Sequence, residues 1–345
     1  MLEKYFVESN KNVKSVIAQM EENGIKAVLV VDEDKHLLGL FTMGDMRRFF
    51  LDNGELTASI EKAMNKNPIV FYSTLEAERY PEKLIVYPIV NKENVVTNII
   101  VEGSIQEETD VLSNVPIVIM AGGKGTRLYP YTKILPKALI PIGEYTITER
   151  IIETFRRYGC KDFYMILNHK AEMIKSYFND LTKEYNISFI KETKFLGTGG
   201  GLAYLKKKVT DTFFLSNCDI LINADFECIY KTHKAEGNKI TFVCAMKDMV
   251  IPYGIVETNS VGKIIALREK PEFSFLTNTG LYVVEPEVIE ELEKDEFIHM
   301  PDIAKRYMDK GEKVGVFPIS ESSWMDMGQF SEMEAMLKHL GITEY

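Results

Sequence analysis

Cysteine, histidine and tryptophan are scarce in this 345-residue sequence, which has four, five and one of them. The cysteines (Cys160, Cys218, Cys228, Cys244) form no C-x-x-C pair. Neither a zinc ribbon nor a disulfide framework is therefore indicated, and the four are expected as small buried apolar residues. The histidines (His36, His169, His233, His299, His339) form no H-E-x-x-H and read as ordinary surface or core residues rather than metal ligands. Positive charge is also short: 41 Lys and Arg face 51 Asp and Glu, a net charge of -10. That balance argues against a general nucleic-acid or membrane-surface binder, so any phosphate binding must be local. No apolar run reaches transmembrane length, and the opening MLEKYFVESN has no basic stretch followed by an apolar one. Neither a signal peptide nor a membrane anchor is expected, and the cytoplasm is the expected compartment. Hexapeptide repeats of the left-handed β-helix kind are missing before Tyr345, so a fused acyltransferase is not expected.

What remains is the composition of a soluble globular protein, 46% hydrophobic and 27% charged, in a chain long enough for two domains. The polar segment EETDVLSN ends just before the apolar run VPIVIM and predicts a boundary, giving domains 1–111 and 112–345. After it, short β-branched runs alternate with helical patterns: VPIVIM, ITERIIETFRRYG, FYMILN, AEMIKSYFNDL, ISFI, a glycine loop and TFFLSNCD. Strands alternating with crossover helices predict an α/β fold with a Rossmann-like, mixed but mainly parallel sheet flanked by helices.

The region before the boundary follows another rule. A helical pattern over Val13–Glu22 leads to AVLVV, the turn DEDKH, LLGLFT and a helix starting near Gly44. This order partly recurs where YPIV, NKEN and VVTNII repeat the strand, turn and strand, which predicts an internal repeat with a degraded second copy. The pattern, with GLFTMGDMRR in its first half, resembles a tandem cystathionine-β-synthase (CBS) domain pair, a small α+β module that often binds adenine nucleotides. Thr42 and Asp45 match that family's T-x-x-D, which implies contacts to ribose and phosphate; the second copy lacks it, so one site at most is expected. A packing or dimerisation role without a ligand is the competing reading. With no β-helix to assemble the chain, the CBS pair is the expected interface of a homodimer or higher homo-oligomer.

The stretch AGGKGTRLYPYTKILPKAL, residues 121–139, follows a predicted strand. Its amides can converge on an anion, and its glycines let the backbone approach a ligand. It is not a Walker A loop, because no G-K-[ST] has the required spacing, and Leu128 stands where a dinucleotide fingerprint needs a third glycine. That absence also removes an NAD-dependent oxidoreductase. Arg127 offers a planar fork for phosphate oxygens, and Lys137 follows a proline that restrains the backbone presenting it.

The string G-G-x-G-T-R-L-x-P-x-T followed by P-K-A-L resembles the signature of the sugar-1-phosphate nucleotidylyltransferases, or nucleoside-diphosphate-sugar pyrophosphorylases. The resemblance covers about 116–341 and implies the nucleotide-diphospho-sugar transferase fold, with NTP and a sugar-1-phosphate as substrates. It implies an NTP held by Ala121, Gly122, Gly123, Gly125 and Thr126, with Arg127 on the β/γ-phosphates and Lys137 near the reacting centre. Asp219, in NCDI, and Asp326, in W-x-D-x-G, match the family's two magnesium-binding aspartates. Two carboxylates with phosphate oxygens and waters suit Mg2+, a hard ion rarely caged by protein alone. On the sugar side, PYGIVE supplies Gly254, REKPE supplies Glu269 for hydroxyls and Lys270 for the sugar phosphate, and TNTGLYVV supplies Asn278 and Gly280. The competing readings are a cap or turn residue for each aspartate, an exposed ion pair for the E-K and a β-turn for the last segment.

For the base, ETKFLGTGGGL offers Glu192 beside Gly197 and Thr198. A carboxylate can accept both N1–H and the N2 amino group of guanine, whereas a pyrimidine edge suits an amide better. GTP is therefore expected. The same segment is similar to that of guanylyltransferases acting on mannose-type and heptose-1-phosphates. The fusion to a CBS pair looks like the glucosamine-1-phosphate guanylyltransferases of legionaminic acid biosynthesis, which serve bacterial surface-glycan pathways. A uridylyl- or thymidylyltransferase is the alternative of the same class. A regulatory subunit that senses nucleotide without catalysis is the alternative of another class, disfavoured because Arg127, Lys137, Asp219, Lys270 and Asp326 are all present.

Overall fold

A computed structural model of the chain describes residues 2–52, 54–80, 84–101 and 110–342. The first three residues of the expected boundary segment EETDVLSN, and the 102–104 end of the second repeat, lie outside the described residues. The chain forms two compact units: Met1–Gln106 with Lys247–Phe275, and Glu107–Met246 with Leu276–Tyr345.

In the first unit, β1 (Phe6–Glu8) precedes helix α1 (Val13–Glu22), whose start is set by Asn12, the side chain of which accepts from the Ser15 amide. Strands β2 (Ala27–Val31) and β3 (Leu37–Thr42) form the expected hairpin, with β1 parallel to β2. Helix α2 (Met43–Leu51) follows, then short α3 (Thr74–Glu78) and the second hairpin, β4 (Val86–Val90) and β5 (Val96–Val101). The two hairpins pack through Ala27, Leu29, Val31 and Leu37 on one and Val86, Val90 and Val96 on the other. Their turns also exchange backbone bonds, from the Leu37 amide to the Asn94 carbonyl (2.9 Å) and from the Val96 amide to the Lys35 carbonyl (3.0 Å).

The second unit begins with β6 (Ile117–Ala121) and runs through α4 (Tyr131–Ile134), the small β7 (Pro141–Ile142) and β8 (Tyr145–Thr146), and α5 (Ile147–Arg156). Then come β9 (Asp162–Leu167), α6 (Ala171–Asp180), β10 (Asn186–Lys191), β11 (Phe213–Asn217), β12 (Ile220–Ile222) and α7 (Phe226–Glu236). Strand β13 (Ile240–Val250) leads into the hairpin β14 (Ile255–Thr258) and β15 (Ile264–Arg268), and β16 (Glu272–Val284) leads out. The chain finishes with α8 (Glu287–Glu291), α9 (Met300–Asp309), β17 (Val314–Ile319), β18 (Trp324–Asp326) and α10 (Phe330–His339).

A seven-stranded sheet runs β10-β9-β6-β11-β16-β13-β17. Its pairs from β10 to β11 and between β13 and β17 are parallel, and β16 is antiparallel to β11. Side chains alternate between two separate cores: Ile117, Ile119, Met165 and Phe214 enter one, Val118, Ile166, Phe213 and Leu215 the other. Helices cover both faces, so the strands read as continuous apolar runs. Three cysteines lie buried as expected, and Cys228 differs, exposed on the surface of α7.

Candidate active site

The glycine loop leaves β6 at buried Ala121, on the edge of the sheet where open α/β sheets receive ligands. A Cβ on Gly122 would stand 3.1 Å from Glu192 Oε2 and 3.2 Å from Asn168 Cβ, so a side chain there would crowd both. At Gly123 a Cβ would meet nothing within 4 Å, which leaves that backbone open for a ligand. Gly125 has a φ of 64° and starts the single turn Thr126–Leu128 that carries exposed Arg127. Only glycine adopts that conformation without strain. The loop is tied behind by the Thr132 hydroxyl, which donates to the Gly125 carbonyl at 2.9 Å. The Lys170 ammonium donates to the carbonyls of Thr132, Lys133 and Ile134 at 3.0, 2.7 and 2.8 Å, capping the end of α4.

Lys137 is buried, 8% exposed, and its ammonium forms an ion pair with Asp219. Asp219 follows β11 by two residues, and the β12–β18 pairing sets Ile220 opposite Asp326. The Met327 amide closes the arrangement on the Asp219 carbonyl at 2.8 Å. Around Gly328, a Cβ would lie 2.9 Å from Asp326 Oδ2, 3.4 Å from Arg127 Nη1 and 2.7 Å from Glu332 Oε2. Arginine, aspartate and glutamate thus converge on one glycine. Burial, and next the charge of Asp219, push the Asp326 carboxyl up to about 6, against the opposing pull of Lys137. Among the described residues no group of three or more His, Cys, Asp or Glu is arranged to hold a metal. The two aspartates nevertheless fit a hard divalent ion. They are paired oxygen donors whose mutual repulsion a cation would relieve, and substrate phosphates and waters complete such a shell.

A cavity of about 570 Å³ joins most of these groups. Its wall includes Arg127, Asp219, Asp326, Thr198, Asn278 and Gly280 from the sequence reading. Asn278 is held by its own bonds, to the Tyr282 hydroxyl (2.8 Å) and from the Gly280 amide (3.1 Å). Gly280 has a φ of 88°, and a side chain there would overlap Asn217. Asn217, His299, Asp302 and Trp324 line the same wall without having been expected there. His299 was read as ordinary, yet its Nδ1 lies 3.3 Å from both the amide nitrogen and the hydroxyl of Thr198. The sequence HMPD does announce a helix start, with proline in the first turn and Asp302 completing a capping box. Its place in the cavity depends on the Gly199 and Gly200 amides, which both bond to the Ile298 carbonyl.

Glu192 occupies a separate niche beside the loop. It is 4% exposed, one carboxylate oxygen has no hydrogen-bond partner among the described residues, and burial lifts its carboxyl to about 7. Gly122 lies on one side, and a side chain at Gly201 would collide with it on the other. The glycines of ETKFLGTGGGL, which from sequence could give a flat base close approach, serve packing within the protein instead. Gly197 and Gly200 are packed against the backbone carbonyls of Ile298 and Glu296, which no Cβ would allow, Gly199 lies against the Ile303 side chain, and Gly201 makes room for Glu192. Gly254, Glu269 and Lys270 belong to the first compact unit. There a Cβ on Gly254 would lie 2.9 Å from Glu269 Oε2, and Lys270 takes a left-handed φ of 44°. Thr42 and Asp45, in the same unit, form a capping box on α2. Asp45 is 6% exposed, accepts from the Thr42 amide (2.9 Å) and hydroxyl (2.6 Å), and pairs with Arg48. This capping role was not among the readings drawn from the sequence, which set a nucleotide against packing or dimerisation.

The sequence model of the family "Nucleotidyl transferase" matches residues 117–341, which is more than half of the chain. The chain belongs to that family. A CBS domain model matches residues 1–52. Among curated members, a UTP–glucose-1-phosphate uridylyltransferase of Synechocystis is 31% identical over 61% of this chain and 60% of its own length. The mannose-1-phosphate guanyltransferase of Saccharomyces cerevisiae is 32% identical over 61% of each chain. This chain thus spans about three fifths of the length of the curated relatives it matches. The crystal structure of HddC from Yersinia pseudotuberculosis shares the fold, with a TM-score of 0.52 at 22% identity over 66% of this chain and 99% of HddC. HddC has also been crystallised with GMP-PN.

Proposed function

We propose that this nucleotidyl transferase family member moves a nucleotidyl group from GTP to a sugar-1-phosphate, glucosamine-1-phosphate in the first instance, and releases pyrophosphate. The observation that carries the reading is the single cavity lined by the loop arginine, Asp219, Asp326, Asn278 and Gly280, with Lys137 paired to Asp219. A phosphate oxygen of the sugar-1-phosphate attacks the α-phosphorus of the NTP as the bond to the β-phosphate oxygen breaks. The nucleophile is already an anion, so no general base is needed. Positioning and charge neutralisation are the work left for the protein. Arg127 and Lys137 face the charge that grows on the leaving pyrophosphate, Lys270 aligns the attacking phosphate, and Glu269 holds sugar hydroxyls. Mg2+, when bound, would be held by Asp219 and Asp326 and would neutralise phosphate charge.

Glu192 supports guanine. A carboxylate with almost no access to water and one oxygen without a partner calls for donors, and the guanine edge offers N1–H and the N2 amino group. The Synechocystis relative, named as a uridylyltransferase, favours a second reading in which UTP is used. A matrix of GTP, UTP, dTTP, CTP and ATP against glucosamine-, N-acetylglucosamine-, glucose- and mannose-1-phosphate, read as pyrophosphate release with magnesium, separates the two. Activity with GTP and glucosamine-1-phosphate supports the proposal and a place in legionaminic acid-type surface-glycan synthesis. Activity confined to UTP refutes the guanine assignment, and silence across the matrix favours a nucleotide sensor. The cytoplasm and self-association through the N-terminal domain belong to the same reading. Among the described residues no helix is long and apolar enough to cross a membrane, and sedimentation with and without residues 1–106 tests the self-association.

A further inference from the structure

Lys14 stands where its own helix does not favour it. It is the second residue of α1, in a first turn with no acidic residue, and the positive end of a helix dipole opposes a cation. Its ammonium lies instead between two carboxylates far along the chain, 3.0 Å from Asp248 and in ion-pair contact with Glu272. Asp248 lies near the end of β13 and Glu272 opens β16. Between them, residues 249–271 form the arm that carries β14, β15, Gly254, Glu269 and Lys270. One ammonium therefore grips both stems of that arm, and the Ser274 hydroxyl adds a bond to Asp248 at 2.7 Å.

Two carboxylates share one cation at the stem. The side chains of Asp248 and Glu272 are 13% and 25% exposed and that of Lys14 46%, so the triad is partly open to water and each pair is worth less than a buried one. Both carboxylates hold the proton of Lys14 more tightly than usual, Glu272 foremost. The base from which Lys14 reaches is itself fixed: the amides of Val13 and Lys14 bond to the carbonyls of Ala58 and Leu56, both at 2.9 Å. All of these residues lie in the first compact unit.

We propose that Lys14 is a positioning residue for the sugar-phosphate end of the site, through which the N-terminal domain holds the arm bearing Glu269 and Lys270. The proposal rests on the nucleotidylyltransferase reading, and it makes the N-terminal domain a working part of the enzyme whether or not that domain binds a nucleotide.

The test compares the full-length protein with Lys14→Met and Lys14→Arg. Amide hydrogen exchange, which needs no turnover, is measured first. In Lys14→Met, residues 249–271 should exchange roughly tenfold faster while 117–121 in the central sheet keep wild-type rates, and Lys14→Arg should stay close to wild type. Steady-state kinetics then separate the substrates. The KM for the sugar-1-phosphate should rise roughly five- to tenfold in Lys14→Met, with kcat and the KM for the NTP within about twofold, and Lys14→Arg should recover most of it. Asp248→Asn with Glu272→Gln, in a chain that keeps Lys14, weakens the same grip from the other side and should likewise speed exchange in 249–271, which guards against a single variant that folds poorly. Unchanged exchange in the arm, or faster exchange spread equally over 117–121, overturns the proposal. If no variant and no wild-type sample turns over any substrate pair, the nucleotidylyltransferase reading fails, while the exchange data still decide the role of Lys14.

Discussion

Glu192→Gln replaces a buried acid by a neutral isostere, and the structure sets the size of the effect. Its carboxyl is lifted from 4.5 to about 7, with burial as the cause. A shift of that size is worth about 3 kcal/mol between the two protonation states. Because the native state holds its proton more tightly than the unfolded chain does, stability falls with rising pH. The contribution is fully present below pH 4.5, declines between 4.5 and about 7, and is lost above. Unfolding by urea at pH 4.5, 6 and 8 should therefore show the variant gaining on the wild type as pH rises, by about 3 kcal/mol across the range. A difference between the two proteins that stays constant with pH refutes an ionisable, desolvated Glu192. The same side chain should govern the base. Donors on guanine favour the charged form, so GTP binding should strengthen as pH rises through about 7 in the wild type and not in the variant. An amide at this position suits the uracil edge, so the ratio of kcat/KM for GTP over UTP should fall at least about tenfold, the loss of one buried polar match.

Three further outcomes follow from the geometry. Asp219→Ala and Asp326→Ala should each abolish magnesium-dependent pyrophosphate release while circular dichroism stays native; near-normal turnover in either removes that carboxylate from the proposed metal site. Lys170→Met leaves three carbonyls of α4 without their shared donor; it should cost about 1–3 kcal/mol and raise the KM for the NTP more than that for the sugar-1-phosphate. Asp45→Ala removes a capping box and the partner of Arg48; it should cost about 1–2 kcal/mol in thermal denaturation with no nucleotide present, and an unchanged melting temperature would refute the capping role.

Local structure was legible wherever a short-range rule governs it. Asn12 starts α1 and Thr42 with Asp45 starts α2 because an oxygen at a helix entrance satisfies amides three residues away. The alternation of β-branched runs with amphipathic helices announced the parallel part of the sheet, since its inner strands β6 and β11 are buried on both faces. The spacing from Gly122 to Lys137 likewise marked the loop. His299, Asp302 and Glu332 were missed because the local pattern marks at most a helix start at His299 and Asp302 and says nothing of what those residues face. His299 meets Thr198 across 101 residues, and Glu332 and Arg127 both come close to Gly328. The glycines of 197–200 were visible, but their partner, the backbone before α9, was not.

By itself the sequence determined the family, the α/β class and the polar residues able to handle phosphate, because helix caps, strand runs and glycine loops are written in neighbouring residues. Tertiary structure decided which charges face each other: Lys137 and Asp219 across 82 residues, and Lys14 and Glu272 across 258. It also decided that Glu192 is dry and that the arm 247–275 keeps company with the N-terminal unit. Burial and electrostatic pairing depend on distance in space, and only the folded chain brings those residues within reach of one another.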